Sequence, residues 1–459
     1  MLLYRRNRNK MICMLLSVIC LITMFPTETR AAEYWPEAPV VESPSAILME
    51  MNTGAVLYEK NCDEKNYPAS ITKILTTLIA LENSDLNEVV TFSDAAIDNT
   101  EGSGIARDYG EQMTMEQCLY AVMLASANEC AYAVAEHVGG TVENFVNMMN
   151  ERAAQLGCTT THFSNPHGLF SEDHYTSARD MALIAKAAYE NETFRIIIGT
   201  ARYTIPPTNK HEEETALQNH NEMLYPWQHL EYRYEYCTGG KTGYTDVARS
   251  TLVTFAEKDG MKLVCVVMRT ESPSQWTDSI NLFNFAFDNF QLWNVADNET
   301  KYDTSEAVEV GALNQNKAFV DIDRNACIVL PKTMAFADAA SEIAYEQTDG
   351  NIVGKITYTY AGNVVGRADI VRTGVEVQGF VFDNGKKEGS KENPSTIQIN
   401  PLKIMLVVAG AALLVLLLFF VKRFADNYYI IRHNMEVRKY RREQFAHVKK
   451  QRRRHRRRR

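Results

Sequence analysis

Ser250-Thr251-Leu252-Val253-Thr254-Phe255-Ala256-Glu257-Lys258-Asp259-Gly260-Met261-Lys262-Leu263-Val264-Cys265-Val266-Val267 is the stretch on which the fold class turns. Two apolar runs flank Lys258-Asp259-Gly260, a tight-turn signal, and predict a β-hairpin. Upstream, Ala46–Met51 and Ala55–Tyr58 flank Asn52-Thr53-Gly54 and predict a second hairpin. Between the two lie helical patterns. Ile71–Glu82 is apolar at Ile71, Leu75, Leu78 and Ile79 behind Pro68, Met113–Leu156 is largely helical, and Ala178–Glu190 is another helix. A helix around Ser279–Phe290 follows the last hairpin. Hairpin, helices, hairpin, helix describes an α+β fold, an antiparallel sheet packed between helices.

Beyond Asp297 the pattern changes. Alternating runs such as Ala318–Ile322 and Lys355–Tyr360, broken by turns, predict a small β-sandwich. Asn384–Asn400 is rich in Lys, Glu, Ser, Gly and Asn and reads as a solvated linker.

The two ends carry membrane and export signals. Arg5, Arg6, Arg8 and Lys10 precede the apolar run Met11–Phe25, with Thr29 and Ala31 as small residues for cleavage, the pattern of a secretory signal peptide. Ile404–Val421 has neither charge nor Pro and is expected to span a membrane, with the basic tail on the cytoplasmic side. From Lys422 onward there are 16 Lys and Arg against 3 Asp and Glu, so a formal net charge of −9 conceals −22 on the rest of the chain. An acidic body argues against nucleic acid as a partner. The Arg run is read first as a topology determinant, with binding to anionic lipid or RNA as the alternative.

Cys13 and Cys20 fall within the signal. Cys62, Cys118, Cys130, Cys158, Cys237, Cys265 and Cys327 remain, odd in number and without CxxC spacing, which indicates neither a zinc site nor a full disulfide framework.

Three short motifs carry chemistry. Ser70-Ile71-Thr72-Lys73 places a hydroxyl and an amine one helical turn apart. A serine needs a base to become a nucleophile, and a lysine serves as one only when its pKa is lowered by burial or a neighbouring cation. Ser126-Ala127-Asn128 follows an apolar helical run, where a helix end is the plainer reading. Lys241-Thr242-Gly243 leads into the hairpin's first strand. Gly240-Lys241-Thr242 is not the end of a phosphate-binding loop, because Glu235 stands where that loop needs Gly and a strand follows in place of a helix.

Order and separation make the set far more specific than its parts, since SxxK, an SxN-type triplet and KTG recur in penicillin-recognising serine enzymes. Pro68–Lys73, Gly110-Glu111-Gln112-Met113-Thr114-Met115, Leu124–Asn128, Phe163–Leu169, His174–Asp180 and Gly240–Thr245 resemble, in order, the low-molecular-mass D-alanyl-D-alanine carboxypeptidases. The similarity covers roughly Glu42–Phe290. It implies a β-lactamase/D,D-peptidase-like sheet with helices on both faces and a helical lobe. The expected divisions are a signal peptide at 1–31, a catalytic domain at 38–295, a membrane-proximal β-sandwich at 296–383, a linker at 384–402, a transmembrane helix at 403–422 and a cytoplasmic tail at 423–459.

The resemblance also implies roles. Ser70 attacks the carbonyl between the two terminal D-alanines, with Lys73 as general base and Ser126 relaying a proton to the departing D-alanine. Asn128 holds the substrate amide, while Lys241 and Thr242 of the Lys241-Thr242-Gly243 motif grip the terminal carboxylate. The N–H groups of Ser70 and Tyr244 form the oxyanion hole. Peptidoglycan stem peptides are the expected substrates and β-lactams the expected inhibitors, with no cofactor or metal. His162, His167 and His174 are read as structural, since no HExxH is present. Arg249 stands where relatives often have Gly. The competing readings are a β-lactamase, for which Asn165-Pro166-His167-Gly168 offers no deacylating carboxylate, and a non-catalytic β-lactam or wall sensor acting through the tail. Transpeptidation differs only in the acceptor.

Overall fold

The computed structural model describes residues 34–226, 228–301, 320–345 and 352–372. The expected signal peptide, linker, membrane span and basic tail lie outside these residues. Among the described residues no helix is long and apolar enough to cross a membrane.

In chain order the strands are β1 (Ser45–Glu50), β2 (Val56–Lys60), β3 (Val89–Thr91), β4 (Gln112–Thr114), β5 (Arg202–Ile205), β6 (Thr215–Gln218), β7 (Cys237–Thr245), β8 (Arg249–Lys258) and β9 (Met261–Thr270). A second group comprises β10 (Phe290–Asn294), β11 (Val320–Ile322), β12 (Cys327–Pro331), β13 (Ala340–Ala344), β14 (Ile352–Tyr360) and β15 (Asn363–Arg372).

The central sheet runs β2-β1-β9-β8-β7, each pair of neighbours antiparallel. Lys258 pairs with Met261, and Asp259 and Gly260 between them both have positive φ (52° and 80°), the geometry that a two-residue hairpin loop demands. β9 has apolar residues at successive positions because both of its faces are covered. Val264, Val266 and Met268 enter one core, while Leu263, Cys265 and Val267 enter the other. Each such side chain contributes roughly 1.5–3 kcal/mol by leaving water.

One face of the sheet packs against a helical lobe built around Lys73–Asn83, whose residues Lys73 to Ala80 are all buried. Met115–Leu124, Asn128–Gly139, Val142–Gln155 and Ala178–Glu190 surround it. Thr114 and Gln117 close a reciprocal capping box on Met115–Leu124, and the Ser177 hydroxyl caps Ala178–Glu190. The other face is covered by Ser274–Asn289, through Trp276, Leu282, Phe283 and Ala286.

The second sheet runs β10-β12-β15-β14-β13, with β11 also paired to β15. The sequence reading expects two facing sheets after residue 296. Among the described residues the hydrogen bonds instead join one six-stranded sheet, and its first strand, Phe290–Asn294, starts at the residue where the preceding helix is expected to end. Its core gathers Ile328, Leu330, Ile356, Tyr358, Val365, Ala368 and Ile370 around Phe336. On the alternate face of β12, Val329 packs into the cluster of Phe285 and Phe290 under the central sheet. The seven described cysteines are free thiols.

Candidate active site

Ser70 lies in a 3₁₀ turn, Ala69–Thr72, rather than in the first turn of the α-helix, which begins at Lys73. Ala69 adopts φ +52°, a left-handed conformation that costs a residue with a Cβ about 1–2 kcal/mol. The surroundings hold it there. Thr251 Oγ1 donates to Pro68 O (2.8 Å) and Thr72 Oγ1 to Ala69 O (2.9 Å). Gly168, at φ +89°, approaches so closely that a Cβ there would sit 1.9 Å from Ala69 O.

Lys73 is fully buried, and its Nζ lies 3.1 Å from Ser70 Oγ, 2.6 Å from Asn128 Oδ1 and 2.5 Å from His167 O. A neutral amine has two protons and one lone pair. As an ammonium Lys73 donates to all three oxygens. Once neutral, it gives its two protons to Asn128 Oδ1 and His167 O, which are acceptors only, and its lone pair is left for the Ser70 hydroxyl. Burial, and after it the Lys241 ammonium, hold the Lys73 pKa well below that of an ordinary lysine, against the opposing charge of Glu129. Burial thus shifts Lys73 toward the neutral form, the one in which its lone pair can face Ser70 Oγ.

Ser126 occupies the break between Met115–Leu124 and Asn128–Gly139 at φ +61°, and it is buried. Asn128 opens the following helix. Its Nδ2 donates to Glu101 O (2.5 Å) and its N–H to Ser103 O (2.8 Å), so the side chain joins Lys73 to the segment around Gly102. That segment borders a cavity of about 290 Å³ lined by Thr100, Glu101, Arg107 and Glu129 among others.

Across the site runs β7, the edge strand of the central sheet. Lys241 is buried and donates to Thr242 O (2.9 Å), and burial brings its pKa down to about 7. A Cβ at Gly243 would lie 2.8 Å from Ser70 N and 2.4 Å from Thr251 Oγ1, so only glycine lets this edge approach the Ser70 amide. Tyr244 is 58% exposed, with Arg249 5.9 Å from its ring centroid. Arg249 has φ +57° and is clamped by Glu271 (2.8 and 2.6 Å).

The structure thus gathers Ser70, Lys73 and Asn128 into one hydrogen-bonded cluster and lays the Lys241-Thr242-Gly243 edge against it. Sequence reasoning missed His167 as a contributor through its carbonyl, Thr251 and Thr72 as props of the turn, and Glu129 as the charge opposing Lys241. A backbone carbonyl leaves no sequence signal. His167 and His174 are buried, and their pKa values are lowered to about 3 by burial and neighbouring cations. Among the described residues no group of His, Cys, Asp and Glu is placed to hold a metal.

Ser70 has a buried amine beside it, the pairing that serine acyl-transfer chemistry requires of a nucleophile and its base. The family model described as peptidase S11, D-alanyl-D-alanine carboxypeptidase, matches residues 32–272, and the chain belongs to that family. It is 36% identical over 257 residues to D-alanyl-D-alanine carboxypeptidase DacF of Bacillus subtilis, a match covering 54% of this chain and 63% of the relative. It is also 32% identical to DacB2 of Mycobacterium tuberculosis over 54% of this chain and 84% of that one. Among solved structures, the Streptomyces K15 DD-transpeptidase matches with a TM-score of 0.51 and 29% identity, covering 55% of this chain and all of that one.

Proposed function

We propose that the protein removes the terminal D-alanine from peptidoglycan pentapeptide stems through an acyl-enzyme on Ser70, and that β-lactams inhibit it by acylating the same oxygen. The observation that carries this reading is the 3.1 Å approach of the fully buried Lys73 amine to Ser70 Oγ.

An extended peptide lies along the open edge of β7, with its terminal carboxylate toward Lys241 and Thr242. Lys73 takes the Ser70 proton as Oγ attacks the penultimate carbonyl. The Ser70 and Tyr244 N–H groups stabilise the oxyanion, usually the largest single contribution in such chemistry. Ser126 returns a proton to the departing D-alanine nitrogen, and Asn128 orients the substrate amide. Water then attacks the ester and restores Ser70.

The catalytic unit is placed outside the cytoplasmic membrane, held by a helix at 403–422 with a cytoplasmic tail. Export and span signals in the sequence support this. A chain bearing residue-422 and residue-36 reporters tests it: protease reaching both from outside the cell overturns the assignment.

The full chain is expected to release D-alanine from a pentapeptide and to bind fluorescent penicillin at Ser70, with both lost in Ser70→Ala. Acylation without D-alanine release favours the sensor reading, and rapid turnover of penicillin favours a β-lactamase. The DD-transpeptidase neighbour makes an amine acceptor the natural second assay, in which a cross-linked product in place of free acid assigns transpeptidation.

A further inference from the structure

His174 lies about a hundred residues downstream of the nucleophile in sequence and is almost wholly buried. Ser164 N–H donates to its Nδ1 (3.0 Å), so that nitrogen carries no proton and Nε2 does. Nε2 lies 2.9 Å from Thr72 Oγ1, which must accept from it. The Thr72 hydrogen is then free to reach Ala69 O, 2.9 Å away. Each bond fixes the direction of the next, from Ser164 through His174 and Thr72 to the carbonyl of the residue before Ser70. The ring is held by Phe163, which meets it edge-on at 5.5 Å. Ala69 is the strained residue, at φ +52°, and it opens the 3₁₀ turn that presents Ser70 Oγ to Lys73.

We propose that His174 is a positioning residue for acylation: as the neutral Nε2–H tautomer it fixes Thr72, and Thr72 fixes the Ala69 carbonyl and with it the aim of the Ser70 hydroxyl and amide. The proposal rests on Ser70 being the acylated residue. His174 is almost wholly buried with Thr72 and Ser164 as its partners, so its loss is expected to act on the chemical step and leave binding intact. A displacement of the nucleophile by an ångström is enough to slow such a step about 100-fold.

The test uses four variants of the full chain. His174→Leu and Thr72→Val break the chain, whereas His174→Gln restores a donor toward Thr72 and Thr72→Ser restores the hydroxyl. The readouts are the rate of acylation by fluorescent penicillin, kcat and KM for D-alanine release, and the melting temperature. The expected result is a fall in acylation rate and kcat of about 10- to 100-fold in His174→Leu and Thr72→Val. KM stays within about two-fold, and most of the rate returns in His174→Gln and Thr72→Ser. Should His174→Leu fail to fold, Thr72→Val decides, because it leaves the imidazole and its Ser164 bond in place. Wild-type acylation by Thr72→Val, a loss confined to KM, or no advantage of the restoring variants over the breaking ones at equal melting temperature overturns the proposal. Failure of the broader functional reading shows in the wild type, failure of this one only in the variants.

Discussion

Lys241 and Lys73 are both withdrawn from water, and after burial itself the Lys241 charge is the strongest influence lowering the Lys73 pKa. Removing that charge lets Lys73 hold its proton to higher pH. In Lys241→Gln the acidic limb of penicillin acylation is therefore expected to move upward by about 0.5–1 pH unit, with a lower rate at neutral pH. The pH profile of the second-order acylation constant checks this. An unmoved limb would remove Lys241 from the activation of Ser70.

Lys241 has a second titration to reveal. Burial brings its pKa to about 7, so in the free enzyme the ammonium proposed to meet the substrate carboxylate is lost as pH rises through that value. A bound carboxylate favours the charged form and pushes the pKa up again. Accordingly kcat/KM for a D-Ala-D-Ala peptide should fall on the alkaline side with a midpoint near 7, whereas kcat should hold to higher pH. Coincident alkaline limbs in the two profiles would count against carboxylate capture by Lys241.

Gly243 permits the approach of β7 to the nucleophile. A Cβ at this position meets Thr251 Oγ1 at 2.4 Å and Ser70 N at 2.8 Å, and Thr251 is itself tied to Pro68 O. Gly243→Ala is expected to push the strand off the Ser70 turn and slow penicillin acylation about 100-fold while circular dichroism stays native. Acylation at the wild-type rate would mean that the Ser70 amide tolerates a wider gap than this packing implies.

Much of the fold is legible from local patterns, because hairpins and amphipathic helices are specified within a few residues. Lys258-Asp259-Gly260 turns where expected, and Ala178–Glu190 has the predicted limits because Ser177 caps it. The grouping of Ser70, Lys73 and Asn128 is what the family resemblance of the ordered motifs implies. Features imposed from far along the chain are not legible. Nothing local in Ala69 or Ser126 calls for a positive φ, which Thr72, Gly168 and Thr251 enforce at Ala69 by contact. The 3₁₀ turn reads as helix for the same reason. Phe290–Asn294 is not read as a strand because its partner, Cys327–Pro331, lies over 30 residues away.

The buried pair Arg107–Glu111 tests how firmly the site's outer wall is held. Their charged atoms meet at 2.8 Å, with both side chains almost entirely shielded from water. Glu111 also accepts from Asp108 N and Thr208 Oγ1, while Arg107 reaches Ile105 O and Thr215 Oγ1. Together they fasten the segment that Asn128 holds at Glu101 and Ser103. Glu111→Ala leaves a guanidinium buried without its counter-charge, and urea unfolding should show a loss of about 3–5 kcal/mol. Glu111→Gln keeps the hydrogen-bonding shape but not the charge, so it should fall between Glu111→Ala and wild type. D-alanine release should decline with the loosening of the Asn128 anchor, less steeply than stability, because Lys73 retains its contacts with Ser70 and His167. If Glu111→Ala unfolds at wild-type urea concentrations, water must reach Arg107 and the wall owes its order to the backbone alone.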